Sequence, residues 1–273
     1  MTIAAVAFEP RRFRSTAAYY QRYRVPYPPA LLASVAARVG LKPGDRALDL
    51  GCGPAMLGLG FARLGMEVIG MDPEPEMLAA AREAAAEAQL PIELIEGSSY
   101  DLGPQLGRLN LVVMGRSFHW MDRLPTLAAL DKLLVPGGGV ALFHDRKISS
   151  DPDWRAPLGE LSNKYSPERQ AGREKRGEPD WRHHEAVLMQ SAFNAVESRG
   201  LVFTQDLDVE AVIGRTYSMS VTSPDALGAN REIFEQELRA ALAALSPEGM
   251  FHEVVAAEVT IAFRPGEAGT EAA

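Results

Sequence analysis

Between residues 30 and 145, short apolar runs alternate with helix-forming stretches, and that order leaves the chain few folds. Repeated strand–helix–strand units build a parallel sheet covered by helices on both faces. A helix is expected over 28–39, opened by Pro28-Pro29 and closed by Gly40. Strands follow at 46–50, 67–71, 92–96, 109–114 and 140–144, with helices at 56–64, 75–90 and 124–134 between them. Ala, Glu, Met and Leu dominate 75–90, and Pro136 with three glycines stops the helix at 124–134. Residues 146–185 then turn dense in charge, Pro and Gly, which suits a lid or a surface excursion. Trp154 and Trp181 flank that segment and favour a lid that packs on something. Strands are expected again at 195–203, 209–219 and 254–263, with a helix at 225–245. The organisation expected is a cofactor-binding part over 1–145, a lid or substrate-side insertion over 146–190, strands and a helix completing the same domain over 191–265, and a frayed tail at 266–273.

On a doubly wound α/β sheet a ligand sits beyond the carboxyl ends of the strands. There the chain reads Asp49-Leu-Gly-Cys-Gly-Pro54, and Gly51 and Gly53 let a backbone approach a ligand closely. Asp72 ends the second strand 23 positions after Asp49, a spacing at which an acid accepts ribose hydroxyl protons. A dinucleotide loop needs G-x-G-x-x-G with a pyrophosphate on the helix N-terminus. Here the third glycine is missing, and Pro54 has no N–H to offer a phosphate. Both departures count against a nicotinamide dinucleotide and favour a ligand with a ribose but no phosphates.

These residues resemble the nucleotide loop of the class I S-adenosylmethionine-dependent methyltransferases, small-molecule type. Further segments are similar in order: Glu96-Gly-Ser-Ser-Tyr-Asp-Leu102, Leu109-Asn-Leu-Val-Val-Met-Gly115, Ser117-Phe-His-Trp120 and Leu134-Val-Pro-Gly-Gly138. Upstream, Tyr20-Gln-Arg-Tyr23-Arg24 is similar to an element that caps the methionine end of the cofactor. The resemblance covers about residues 18–145 and implies a Rossmann-like, mostly parallel seven-stranded sheet with an antiparallel C-terminal strand. It implies S-adenosylmethionine as cofactor, held by Tyr20, Tyr23, Arg24, Asp49, Gly51, Cys52, Gly53, Asp72, Pro73, Met77, Ser98, Ser99, Gly115 and Arg116. Two positions depart from the family: Ala55 replaces a glycine, and Ser98 replaces the aspartate beside the adenine. Alanine is expected to be tolerated because it suits a first helical turn. The Ser98 hydroxyl still accepts from an adenine amino group, through a neutral bond.

Several roles stay open at this level. Asp49 either meets the cofactor or braces the loop, and Arg24 either pairs with its carboxylate or is solvated. Tyr20 and Tyr23 either cap the cofactor or pack. Cys52, between two loop glycines, supplies backbone rather than a nucleophile. His119 is the candidate catalytic base, with the alternative that His119 and Trp120 form an aromatic wall. Trp120 and His144 are assigned to the substrate side, with the alternative that His144 and Asp145 only bond the following loop. The adjacent His183 and His184 are read as a solvated helix start rather than metal ligands, and no metal is expected.

The formal charge of −8 disfavours a polyanionic partner, and no N/D-P-P-Y/F stretch follows the fourth strand as in amino-methylating nucleic-acid enzymes. With no cysteine outside the loop, cytosine C5 methylation is disfavoured, so a small-molecule acceptor methylated on N, O or C is expected. A single cysteine, no apolar run long enough to span a bilayer and no signal-like N-terminus point to a cytoplasmic protein without membrane association. Two rivals remain: a non-methylating use of the same cofactor, such as cyclisation or rearrangement, and a nonenzymatic cofactor-binding protein.

Overall fold

The computed structural model describes residues 12–166 and 181–266. One seven-stranded sheet runs in the order β3-β2-β1-β4-β5-β7-β6. Its strands are β1 (Arg46–Leu50), β2 (Glu67–Asp72), β3 (Glu93–Glu96), β4 (Leu109–Gly115), β5 (Leu134–Asp151), β6 (Ala195–Asp208) and β7 (Met250–Phe263). The first five are parallel, and β7 runs antiparallel between β5 and β6. Helices α1 (Ala17–Tyr23), α2 (Pro29–Val39), α3 (Met56–Arg63), α4 (Pro75–Ala88) and α5 (Arg123–Leu133) accompany the parallel half. Then come α6 (Arg155–Tyr165), α7 (His184–Leu188), α8 (Val209–Tyr217), α9 (Pro224–Leu227) and α10 (Arg231–Leu245).

Alternation along the strands sorts side chains to two faces. Leu48, Leu50, Met114 and Leu142 pack with Leu127 and Leu130 of α5 and with Val187 and Leu188 of α7. Ala47, Val113, Phe143 and Ile261 pack on the other face with Leu31 and Val35 of α2 and Phe61 of α3. Burial on both faces is what lets β1 and β4 read as nearly unbroken apolar runs.

Two sequence expectations change here. The strand expected over 209–219 is helix α8. Its inward-facing residues Val209, Val212, Ile213, Thr216 and Tyr217 recur at helical spacing, and the Asp208 carboxylate accepts from the Ala211 N–H at 2.7 Å as a cap. β-Branched content suggested a strand, but periodicity and the cap decide. The fifth strand, expected over 140–144, continues to Asp151 because β7 is long enough to pair with its charged half, His144 through Asp151. That half carries Arg146 against Glu258, so strand pairing and ion pairing replace part of the expected lid.

The rest of that segment is partly ordered packing. Trp154 is wholly buried with Leu158, Val212, Tyr217, Phe234, Leu238 and Phe251 in a third core. This core joins α6, α8 and α10 beyond the parallel sheet. Residues 167–180, and 267–273 of the expected tail, lie outside the described residues. The buried pair Arg215–Glu253 ties α8 to β7, while the Arg215 Nε–H donates to the Tyr23 carbonyl at 2.9 Å. The end of α1 is thereby fixed to the third core. Among the described residues no helix is long and apolar enough to cross a membrane.

Candidate functional site

The chain turns sharply after β1. Gly51 and Gly53 have φ of +69° and +53°, and a Cβ on Gly51 would stand 2.6 Å from the Ser117 Cβ. The Gly51 and Cys52 N–H groups both donate to the Met71 carbonyl, at 2.8 and 3.0 Å, which anchors the loop to β2. Ala55 differs from expectation. It is not in a first helical turn but caps α3 in the left-handed region at φ 58°, ψ 36°. That conformation costs a non-glycine residue roughly 1–2 kcal/mol, and burial of its methyl among Leu59, Leu78 and Ala81 offsets the cost.

Asp72 closes the other side. One carboxylate oxygen accepts from the Gly53 N–H at 2.8 Å and the other from the Glu74 N–H at 2.9 Å. Each oxygen keeps a lone pair for a further donor. Burial pushes its carboxyl up to about 6, against the pull of those two N–H bonds. At the end of β3 the Ser98 N–H and hydroxyl both donate to Asp101, at 2.8 and 2.9 Å, and the Ser98 oxygen accepts from the Tyr100 N–H at 3.3 Å. Sequence reasoning passed over Asp101, which fixes this hydroxyl.

Between the loop and the end of β3 lies a mostly apolar cavity of about 240 Å³. Of the expected cofactor residues, Tyr20, Gly51, Cys52, Gly53, Asp72, Pro73, Met77, Ser98, Ser99, Gly115 and Arg116 line it. Trp120, expected on the substrate side, lines this cavity too, with Phe13 edge-on to its indole at a centroid distance of 5.5 Å. Phe13, Glu74, Tyr100, Ser117 and Met121 are further wall residues that the sequence reading did not single out. Phe13 had no signal, since only the fold brings the N-terminal segment to Trp120.

Three expected cofactor residues are not on this wall. Asp49 lies beneath the loop, 2 % exposed, and accepts from the Gly58 N–H of α3 at 2.8 Å. Burial, reinforced by Asp72, raises its carboxyl to about 7. Tyr23 packs against α8, where a Cβ on Gly214 would meet its ring at 2.3 Å. Arg24 lies over the Tyr20 ring at 4.9 Å and donates to the Ser218 carbonyl at 3.0 Å. Arg116 stands on the wall instead. Its backbone is left-handed (φ 58°), its Nε–H donates to Asp145 at 2.5 Å, and its Nη2–H donates to the Val25 carbonyl at 2.7 Å. Its Nη1 is buried without a hydrogen-bond partner among the described residues. Cys52 faces Gly70 of β2 and is buried; burial first, then Asp49 and Asp72, push its thiol well above the usual range.

A second cavity, about 480 Å³, adjoins the first at Arg116 and Ser117 beyond the ends of β4 and β5. Four of the chain's five histidines line it: His119, His144, His183 and His184. His119 and Trp120 therefore do not share one wall, although their rings are in contact at 4.7 Å. His144 contacts Glu258 at 3.2 Å across the β5–β7 pair. His183 is exposed, as a solvated helix start requires, but His184 is not free in solvent. Its ring lies 5.1 Å from Phe118 and 6.4 Å from His119, and burial, then Arg123, lowers it to about 4. Among the described residues no group of His, Cys, Asp and Glu is placed to hold a metal.

A sheet of this order with a glycine loop after β1 and an acid ending β2 defines a doubly wound α/β protein whose ligand crevice falls at the switch between β1 and β4. Residues 47–138 match the methyltransferase domain family. A Mycobacterium tuberculosis protein named as an uncharacterized methyltransferase is 28 % identical over 220 residues, covering 78 % of this chain and 79 % of the relative. A ubiquinone biosynthesis O-methyltransferase of Xanthomonas campestris is 39 % identical over 116 residues, which span 42 % of this chain and about half (48 %) of the relative. The fold is shared with a methyltransferase of Anaeromyxobacter dehalogenans (TM-score 0.57, 18 % identity, 88 % of this chain and 97 % of that one). It is also shared with an S-adenosylmethionine-dependent methyltransferase of Geobacter sulfurreducens in complex with S-adenosylhomocysteine (TM-score 0.50, 18 % identity, 95 % and 100 %). Residues 47–138 are thus a methyltransferase domain, and the likenesses support an S-adenosylmethionine-dependent methyltransferase with S-adenosylmethionine as cofactor.

The first cavity fits that cofactor. Asp72 has acceptor capacity for two ribose hydroxyls, apolar and aromatic walls suit a purine, and the unpartnered Arg116 Nη1 is a cation suited to a carboxylate.

Proposed function

We propose that the protein methylates an oxygen of a small-molecule acceptor held in the second cavity, in the cytoplasm and without a nucleic-acid partner. The observation that carries this reading is the contiguity of the two cavities at Arg116 and Ser117, beside the carboxyl ends of β4 and β5. Small-molecule oxygen chemistry is supported by the name of the Xanthomonas relative, whose likeness lies in under half of this chain.

When bound, S-adenosylmethionine supplies a methyl group already activated on a sulfonium. The residues therefore need to position and desolvate the acceptor rather than activate the donor. Asp72 would hold the ribose, Ser98 and Ser99 the purine edge, and Arg116 the carboxylate. Asp145 serves as a positioning residue through Arg116. His119, on the wall of the second cavity, would take the acceptor's hydroxyl proton, which an oxygen nucleophile must lose. His144 and Trp181 would bound the acceptor.

The test is incubation with methyl-labelled cofactor and a panel of small phenols, amines and carboxylic acids. The expected outcome is S-adenosylhomocysteine release with label on an oxygen acceptor. Methylthioadenosine release, or label found only on nitrogen or carbon, would overturn the proposal.

A further inference from the structure

On the wall of the second cavity, the hydrogen-bonding sense of His184 is set by a cationic neighbour. The Arg123 guanidinium on α5 is 2 % exposed. Its Nη1 donates to the Arg182 carbonyl at 2.6 Å and lies 3.4 Å from His184 Nδ1. A guanidinium only donates and does not lose its proton. The His184 nitrogen facing it must therefore present a lone pair, and in a neutral imidazole the single ring proton then sits on Nε2. Among the described residues Nε2 makes no hydrogen bond. Arg123 is itself held over the Trp181 ring at 4.7 Å, so the arrangement joins α5, the residues before α7 and the cavity wall.

Burial first, and then the charges around it, keep His184 neutral. Arg123 faces it from α5, and His144 from β5 and His183 from its own segment disfavour a second proton; Glu185 opposes them. His119 lies across the cavity wall, its ring nearly parallel at 24°.

We infer that His184 is a fixed hydrogen-bond donor in the acceptor cavity, locked by Arg123 as its Nε2–H form, and that it selects acceptors bearing a carbonyl-type oxygen on a planar ring. The inference rests on the second cavity being the acceptor site. Planarity follows from the rings of Phe118, His119, Trp181 and His184 on its walls. A phosphorylated acceptor is disfavoured, because the only Lys or Arg on the described lining is Arg116, whose remaining Nη1 the cofactor carboxylate would take, and Asp145 and Glu185 line the same cavity. His184 is a specificity residue here, distinct from the proposed proton acceptor His119.

The test uses the full chain saturated with S-adenosylhomocysteine and two matched probes, 4-hydroxyacetophenone and 4-ethylphenol, which differ in the carbonyl. The ketone is expected to bind about tenfold tighter. The gap should collapse in His184→Phe and survive in part in His184→Gln, whose amide can both accept from Arg123 and donate. Nitrogen-15 spectra of the wild-type side chain should report a proton on Nε2 from pH 5 to 8. Equal affinities, a gap unchanged in His184→Phe, binding of neither probe, or an Nδ1–H form would each overturn the inference. Failure to bind S-adenosylhomocysteine would instead overturn the cofactor assignment.

Discussion

Asp49 sits sealed beneath the glycine loop, and replacing it by Asn tests whether its charge burdens the fold. Its carboxyl is raised from 3.8 to about 7, mainly by burial, and each unit is worth about 1.4 kcal/mol. The ceiling on the effect is therefore about 4 kcal/mol, and relaxation of the loop should leave about 1–2 kcal/mol. Asp49 holds its proton more tightly folded than unfolded. Its stabilising contribution is thus full below pH 4 and lost as pH rises through 7. Asp72, raised to about 6, follows the same sign between about pH 4 and 6, but it is present in both proteins and largely cancels in their difference. Urea unfolding of ligand-free wild type and Asp49→Asn at pH 5, 6, 7 and 8 reads that difference. Asn keeps a carbonyl for the Gly58 N–H, so Asp49→Asn should gain on the wild type by about 1–2 kcal/mol between pH 5 and 8. A difference that does not change with pH would refute the reasoning.

Gly51→Ala adds a Cβ 2.6 Å from Ser117 at φ +69°, and a loss of about 1–3 kcal/mol is expected in thermal melts; wild-type stability would count against the loop geometry. Cys52 is buried with a raised thiol, so iodoacetamide at pH 8 should label it about a hundredfold more slowly than a free thiol by mass spectrometry. Labelling at the free-thiol rate would contradict that placement. Glu253→Ala leaves Arg215 buried without its carboxylate, and a loss of about 3–5 kcal/mol in urea unfolding is expected. A loss under about 1 kcal/mol would mean that the pair contributes little.

The parallel half was legible because each of its elements carries a local signal. Gly40 closes α2, Pro75 opens α4, and the apolar runs of β1 and β4 are too short for helices. The loop and Asp72 could be read as a pair because they sit at adjacent strand ends. What stayed hidden depends on partners far away in sequence. The charged half of β5 is a strand because β7, more than a hundred residues later, supplies its hydrogen bonds. Val209–Tyr217 misled through β-branched composition although its spacing was helical. His184 looked solvated because nothing near it in the chain announces Arg123, 61 positions away. Arg24 and Arg116 carry equal charge, and only the fold puts Arg116 on the wall of the first cavity and turns Arg24 to Ser218.

The most direct measurement is calorimetric titration of S-adenosylhomocysteine into the wild type and Asp72→Ala. Saturable one-to-one binding is expected in the wild type. Asp72→Ala should bind about 5- to 150-fold more weakly, the scale of one lost charge-assisted contact, while still unfolding cooperatively. No saturable binding to the wild type, or equal affinity in a folded Asp72→Ala, would contradict a cofactor held between the glycine loop and the end of β2.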